Sequence, residues 1–127
     1  MNAYFEQMIL SASPMELVRL MYDQAILCVR DARRYLSQRK ITERSKAIMK
    51  AYGLVAELLT SLNQEQAPEL SAGLCNLYLY IQGLLLTANC DQTDQPLAEA
   101  QALLGTLSEA WKQVPDLRAE AAAALAA

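Results

Sequence analysis

Histidine is absent from this chain of 127 residues. That removes the commonest general base and the commonest metal ligand. It excludes Ser-His-Asp and Cys-His nucleophiles, the Glu-x-x-His pairs of di-iron bundles, and a histidine phosphotransfer domain. Glycine and proline number four each, phenylalanine and tryptophan one each. Valine and threonine are sparse and never alternate over a useful window, so no strand pattern arises. Three cysteines, Cys28, Cys75 and Cys90, lie far apart without CxxC spacing. This argues against a disulfide framework or a structural zinc site. Free thiols in apolar surroundings are expected, with Cys90 the most reachable by solvent. No glycine-rich phosphate loop occurs. Glu65 and Glu69 straddle a turn containing Pro68 and read as capping carboxylates, and Asp91 and Asp94 as turn residues with no ligand set around them. No catalytic residue, metal site or cofactor is expected.

Net charge is −3, so wholesale nucleic-acid binding is not expected. The charge is unevenly placed. Arg30, Arg33, Arg34, Arg39, Lys40, Arg44, Lys46 and Lys50 hold most of the positive charge, while the second half is acidic with only Lys112 and Arg118 against it. This basic corner reads either as a solvated helix-helix turn or as a docking patch for an acidic partner. Apolar residues make up 54% of the chain. No stretch of about 20 residues lacks strongly polar side chains, so no membrane-spanning helix is expected. The segment Met1 to Glu6 lacks a basic stretch followed by an apolar run, so a secretory signal is not expected and the cytoplasm is the expected location.

What is present is helical. Ser13, Pro14 and Glu16 form a capping-box start, and Leu17, Met21, Ala25, Cys28, Ala32 and Tyr35 follow at steps of three and four. The spacing predicts helices over 14–37, 42–62, 68–89 and 96–114, followed by a tail over 115–127. Their stripes include Ile48, Ala51 and Val55 in the second helix, and Leu70, Leu74, Leu77, Ile81 and Ala88 in the third. In the fourth they are Leu97, Ala100, Leu104, Leu107, Trp111 and Val114. Leu77, Leu107 and Trp111 read as core. Four long helices joined by short polar turns make a single-domain antiparallel up-down bundle, an all-α fold. Residues 1–12 add a short amphipathic segment, too short to stand alone, which must pack on the bundle or on a partner.

Two helices carry more apolar surface than a bundle needs. In the first, Val18, Tyr22, Ile26 and Val29 make a second row. In the third, Cys75, Tyr78, Leu79, Tyr80 and Leu86 lie off the main stripe. A contiguous patch of this kind calls for an explanation. A central helix packed on several sides, a homodimer face and a groove for an amphipathic segment all fit, and the prominence of tyrosine suits the groove.

The run Ser13-Pro14-Met15-Glu16-Leu17-Val18-Arg19-Leu20-Met21-Tyr22-Asp23-Gln24-Ala25-Ile26 resembles the opening signature of the FliS family of flagellin-export chaperones, Ser-Pro-x-x-Leu-Val-x-x-Leu-Tyr-Asp-Gly-Ala-Ile. Leu62-Asn63, the run Asn76 to Ile81, Ala88-Asn89 and Ala110-Trp111 resemble its later landmarks in order, over about residues 4–114. The family's usual glycine after Tyr-Asp is Gln24 here, and its Gly-Gly before the third helix is Ala67-Pro68. The resemblance implies a cytoplasmic chaperone, mostly monomeric when free. Its client would be the disordered C-terminal segment of flagellin, kept unpolymerised and competent for export, with components of the export gate as further partners. A partner that folds on binding suits a large apolar surface. On this reading Ile9, Leu10, Val18, Tyr22, Ile26, Tyr78 and Tyr80 line the groove, Tyr22 foremost, and the N-terminal segment covers part of it when empty. The competing class is a structural or regulatory bundle that closes a homodimer through the same surface.

Overall fold

Prolines open two of the helices, because a residue in the first turn has no helical acceptor for its N–H and the ring's fixed φ suits the helix. In the computed structural model, which describes residues 14–62 and 67–113 together with positions 3 and 65, the elements are α1 (Pro14–Ser37), α2 (Ile41–Thr60), α3 (Pro68–Asp91) and α4 (Gln95–Gln113). The capping role of Ser13, the 1–12 segment, Val114 and the 115–127 tail lie outside the described residues. Each helix packs on its neighbours in sequence, and α4 closes the ring onto α1. Among the described residues this is an all-α, up-down four-helix bundle.

One end of the bundle is finished by two tight turns. α1 ends in a Schellman turn: Arg39 adopts a left-handed φ of 59°, Lys40 N–H donates to the Tyr35 carbonyl at 3.0 Å, and Arg39 N–H to that of Leu36 at 3.1 Å. α3 ends the same way in outline, with Gln92 at φ 55° and its N–H donating to the Ala88 carbonyl at 2.9 Å. Two arginines brace these turns. Arg33 donates through Nε and Nη2 to the two carboxylate oxygens of Asp94 at 2.8 and 2.9 Å, and through Nη1 to Gln101. Arg44, buried, donates to the side-chain oxygens of Asn89 and Gln92 at the C-terminus of α3. A cation there also meets the negative end of the helix dipole. Asp94 therefore accepts Ala98 N–H with its carbonyl, as an N-cap residue does, while its carboxylate is held by Arg33.

The core runs down the axis. α1 contributes Val18, Met21, Tyr22, Ala25, Cys28, Val29 and Ala32; α2 contributes Ile48, Ala51, Val55 and Leu58. α3 contributes Ser71, Leu74, Tyr78, Ile81, Leu85 and Ala88; α4 contributes Leu97, Ala100, Leu104, Ser108 and Trp111. Leu77 and Leu107 are half-buried against this cluster. The α1 face is wide enough that the two rows expected from spacing merge into one. By length and composition α3 is apolar enough to cross a membrane, which the sequence reading did not anticipate. Its inward seam, Tyr78, Ile81, Leu85 and Ala88, is instead packed without exposure inside the bundle, as in the core helix of a protein bundle.

Candidate functional site: an uncharged outer face on α3

Near the α1 N-terminal end the core holds a polar aromatic cluster. The Tyr22 and Tyr78 hydroxyls lie 2.5 Å apart, and Trp111 Nε1–H donates to the Tyr22 hydroxyl at 3.1 Å. The rings meet in tilted contacts, 6.5 Å between centroids for Tyr22 with Tyr78 and 6.1 Å for Tyr22 with Trp111. Burial pushes both phenol pKa values above the usual range. Both phenols are therefore neutral at any physiological pH and act as hydrogen-bonding core residues.

Three of the residues expected in the groove are thus placed in the core of the bundle. Val18 is buried and Tyr22 and Tyr78 have no exposed surface. The physical reason is that the tyrosine hydroxyls find partners inside, so the whole side chain can be buried without stranding a polar group. Ile26 is half-buried at the edge of a shallow groove of about 580 Å³ between α1 and α4, shared with Asp23, Gly105, Glu109 and Lys112. Tyr80 is half-exposed, and its hydroxyl donates to the Glu99 carboxylate of α4. That bond raises the Tyr80 pKa. Ile9 and Leu10 lie outside the described residues. The structure thus brings Val18, Tyr22 and Tyr78 into the core, and leaves Ile26 and Tyr80 on separate surfaces.

The surface that sequence reasoning only half found is the outer face of α3. From Leu70 to Cys90 the helix carries no charged residue. Its exposed positions are Ala72, Gly73, Asn76, Leu79, Tyr80, Gly83, Leu86, Thr87 and Cys90. Leu79, Tyr80 and Leu86 are exposed by 51%, 50% and 43%, a concentration of large apolar side chains along one helix face that water does not favour. Glu69 and Asp91 bracket it. The remaining large exposed apolar side chains, Leu27, Ile41 and Met49, are spread over α1 and α2.

The basic corner resolves into two roles. Arg33 and Arg44 tie helices together, and Arg34 pairs with Asp31 at 3.2 Å while lying over the Tyr35 ring. Arg30, Arg39, Lys40, Lys46 and Lys50 are exposed. Among the thiols, Cys28 is buried, Cys75 half-buried and Cys90 exposed. Burial raises the Cys28 pKa, an effect offset in part by Lys50 and reinforced by Asp31. No group of three or more Cys, Asp or Glu among the described residues is placed to hold a metal ion.

The described residues thus form a helical bundle with a hydrogen-bonded polar cluster in its core and an uncharged outer face on α3. A profile of the family described as "Flagellar protein FliS" matches residues 1–118. The flagellar secretion chaperone FliS of Salmonella typhimurium is 34% identical over 110 residues, covering 86% of this chain and 82% of that protein. The chaperone of the same name from Bacillus subtilis is 28% identical, covering 88% and 83%. The flagellar secretion chaperone FliSB of Pseudomonas aeruginosa is 29% identical, covering 84% of each. The chain belongs to the FliS family of flagellar export chaperones.

Proposed function

We propose that this chaperone binds the disordered C-terminal segment of flagellin in the cytoplasm, keeping the subunit from polymerising and competent for export. The observation that carries this reading is the outer face of α3, where Leu79, Tyr80 and Leu86 stand exposed on a helix uncharged from Leu70 to Cys90. A client segment that orders on contact removes that face from water and stabilises the complex through apolar burial. Tyr80 contributes a half-exposed ring whose hydroxyl is already anchored on Glu99, so little side-chain freedom is lost when a partner packs on it. Ile26 and, at the N-terminal segment, Ile9 and Leu10 are proposed to extend the contact. Components of the export gate are proposed as later partners of the loaded complex.

Calorimetric titration with a peptide of the last few tens of flagellin residues from the same organism tests this, with a scrambled peptide as control. Saturable one-to-one binding with a negative heat-capacity change is the expected result. Equal heats from the native and scrambled peptides would remove the reading.

A further inference from the structure

The fold explains only part of the basic corner. Arg33 and Arg44 brace the turns, and Arg34, in the last turn of α1, meets the negative end of its dipole. Arg30 has neither role. It stands about two turns before the end of α1, beyond the reach of that dipole. Among the described residues it makes no hydrogen bond or ion pair. Arg34 follows it four residues on, and Lys46 and Lys50 repeat that spacing on α2. Like charges so placed repel and weaken a helix. A chain that had only to fold would do better with a neutral residue at position 30.

Arg30 borders a concavity. A shallow basin of about 450 Å³ lies between α1 and the start of α4, lined by Arg30, Arg33, Arg34, Ser37, Asp94 and Gln101. Its one carboxylate, Asp94, is already held through both oxygens by Arg33. Arg33 Nη1 also donates to Gln101 at 2.8 Å, which fixes that guanidinium in the wall. Arg34 is steadied by Asp31 at 3.2 Å and by the Tyr35 ring beneath it. The basin thus presents two pinned guanidinium groups and a free one, and every cation in it is arginine.

We propose that this basin docks a carboxylate-bearing peptide segment of a partner protein distinct from the client. The planar fork of arginine matches a carboxylate through two parallel hydrogen bonds, whereas lysine acts as a point charge. Asp31 and Asp94, set among the arginines, weaken the long-range field, so short-range pairing selects the ligand. A nucleic acid is disfavoured by the net charge of −3. Leu27, exposed one turn before Arg30, adds an apolar neighbour that suits a peptide better than a bare phosphate. Position matters as much as chemistry. α1 and α3 stand diagonally in the ring, so the basin lies across the bundle from Leu79 and Leu86. Both surfaces can be occupied at once. The inference does not depend on which client α3 takes.

The test uses the full chain and a peptide of repeated Glu-Leu-Ser-Glu units carrying a neutral dye, read by fluorescence anisotropy at fixed ionic strength. The same peptide with Gln for every Glu is the control. Arg30→Gln with Arg34→Gln removes two cations of the basin, and Lys46→Gln with Lys50→Gln removes the same charge outside it. All four side chains are exposed, and thermal melts check that both variants fold. The native protein and the lysine variant should bind the Glu peptide alike and leave the Gln peptide free. The arginine variant should bind at least about fivefold more weakly. Equal weakening in the two variants reduces the effect to net charge and overturns the proposal. Equal binding of the two peptides, or none by the native protein, overturns it too. Phosphate in place of chloride at matched ionic strength should leave the affinity unchanged; selective displacement by phosphate assigns the basin to a phosphate ligand instead. Sedimentation of the native protein with phosphatidylglycerol vesicles, lost in the arginine variant, assigns it to a membrane surface instead. Leu79→Ser with Leu86→Ser should bind the Glu peptide as the native protein does, and weakened binding there places the peptide on α3 and overturns the proposal.

Discussion

The hydroxyls of Tyr22 and Tyr78 meet at 2.5 Å across the bundle, joining α1 to α3 although these two helices are not neighbours in the ring. Tyr22 is the hub, because it also accepts the Trp111 indole N–H. Tyr22→Phe leaves both the indole N–H and the Tyr78 hydroxyl without that partner and should cost roughly 1–3 kcal/mol. Tyr78→Phe leaves the Trp111 bond intact and should cost less. Urea melts of the two single variants and the double variant check this ordering, and a double variant equal to the sum of the singles would show the hydroxyls are not coupled.

The same pair sets an alkaline limit. Both folded-state pKa values are raised above the ordinary tyrosine value of 10.0 by burial. Above that pH the unfolded chain releases phenol protons that the folded chain keeps, so the unfolded state binds fewer protons and stability falls as pH rises. Below it the two tyrosines add no pH dependence. Each should steepen the loss by about 1.4 kcal/mol per pH unit. Denaturant melts at a series of pH values above neutrality should show the native protein losing stability faster than the Tyr22→Phe, Tyr78→Phe double variant.

Arg33 and Arg44 brace the same end of the bundle but differ in depth. Arg33 and Asp94 keep 37% and 48% of their side-chain surface exposed, so Arg33→Ala should cost less than about 1 kcal/mol and its effect should shrink in salt. Arg44 is 5% exposed and holds Asn89 and Gln92; Arg44→Ala should cost roughly 1–3 kcal/mol and persist in salt. Thermal melts at low and high ionic strength decide the order.

On the α3 face Leu79 and Leu86 are exposed, so Leu79→Lys and Leu86→Lys should leave stability within about 0.5 kcal/mol. Each should weaken flagellin-peptide binding by tenfold or more, on the order of 1.4 kcal/mol. Unchanged affinity in both variants, with unchanged melts, would move the binding face elsewhere.

Gly83→Ala should raise stability by about 0.5–1 kcal/mol in a denaturant melt. The added methyl meets nothing within 4 Å and lowers the entropy of the unfolded chain.

The helices were legible because their ends are written in local chemistry: Pro14 and Pro68 open two of them, Pro96 sits in the first turn of a third, and polar turns separate them. The inward seam of α3 was not. Leu70, Leu77 and Leu84 compete with Leu74, Ile81 and Leu85 on a helix apolar nearly all round, so periodicity could not choose between them. The seam chosen by packing includes Tyr78 and Gln82, polar residues whose partners lie on other helices and are invisible to spacing. Gln82, for example, donates to the Tyr52 carbonyl of α2. The same blindness hid Arg33 with Asp94, which reads locally as a solvated arginine and a capping aspartate. The α3 outer face was half visible: Leu79, Tyr80 and Leu86 stood out as surplus, whereas Gly83 drew no notice because glycine contributes nothing to a hydrophobicity pattern.

Trp111 is the only tryptophan, and it is 7% exposed beside Tyr22 in the core, away from the outer face of α3. Its fluorescence therefore reports on the bundle and is screened from the surface where a client is proposed to sit. A shift in emission on adding a ligand would signal a rearranged core, and a silent indole during saturable binding would mark docking onto an unchanged bundle. The protein thus contains an optical probe that separates repacking from recognition.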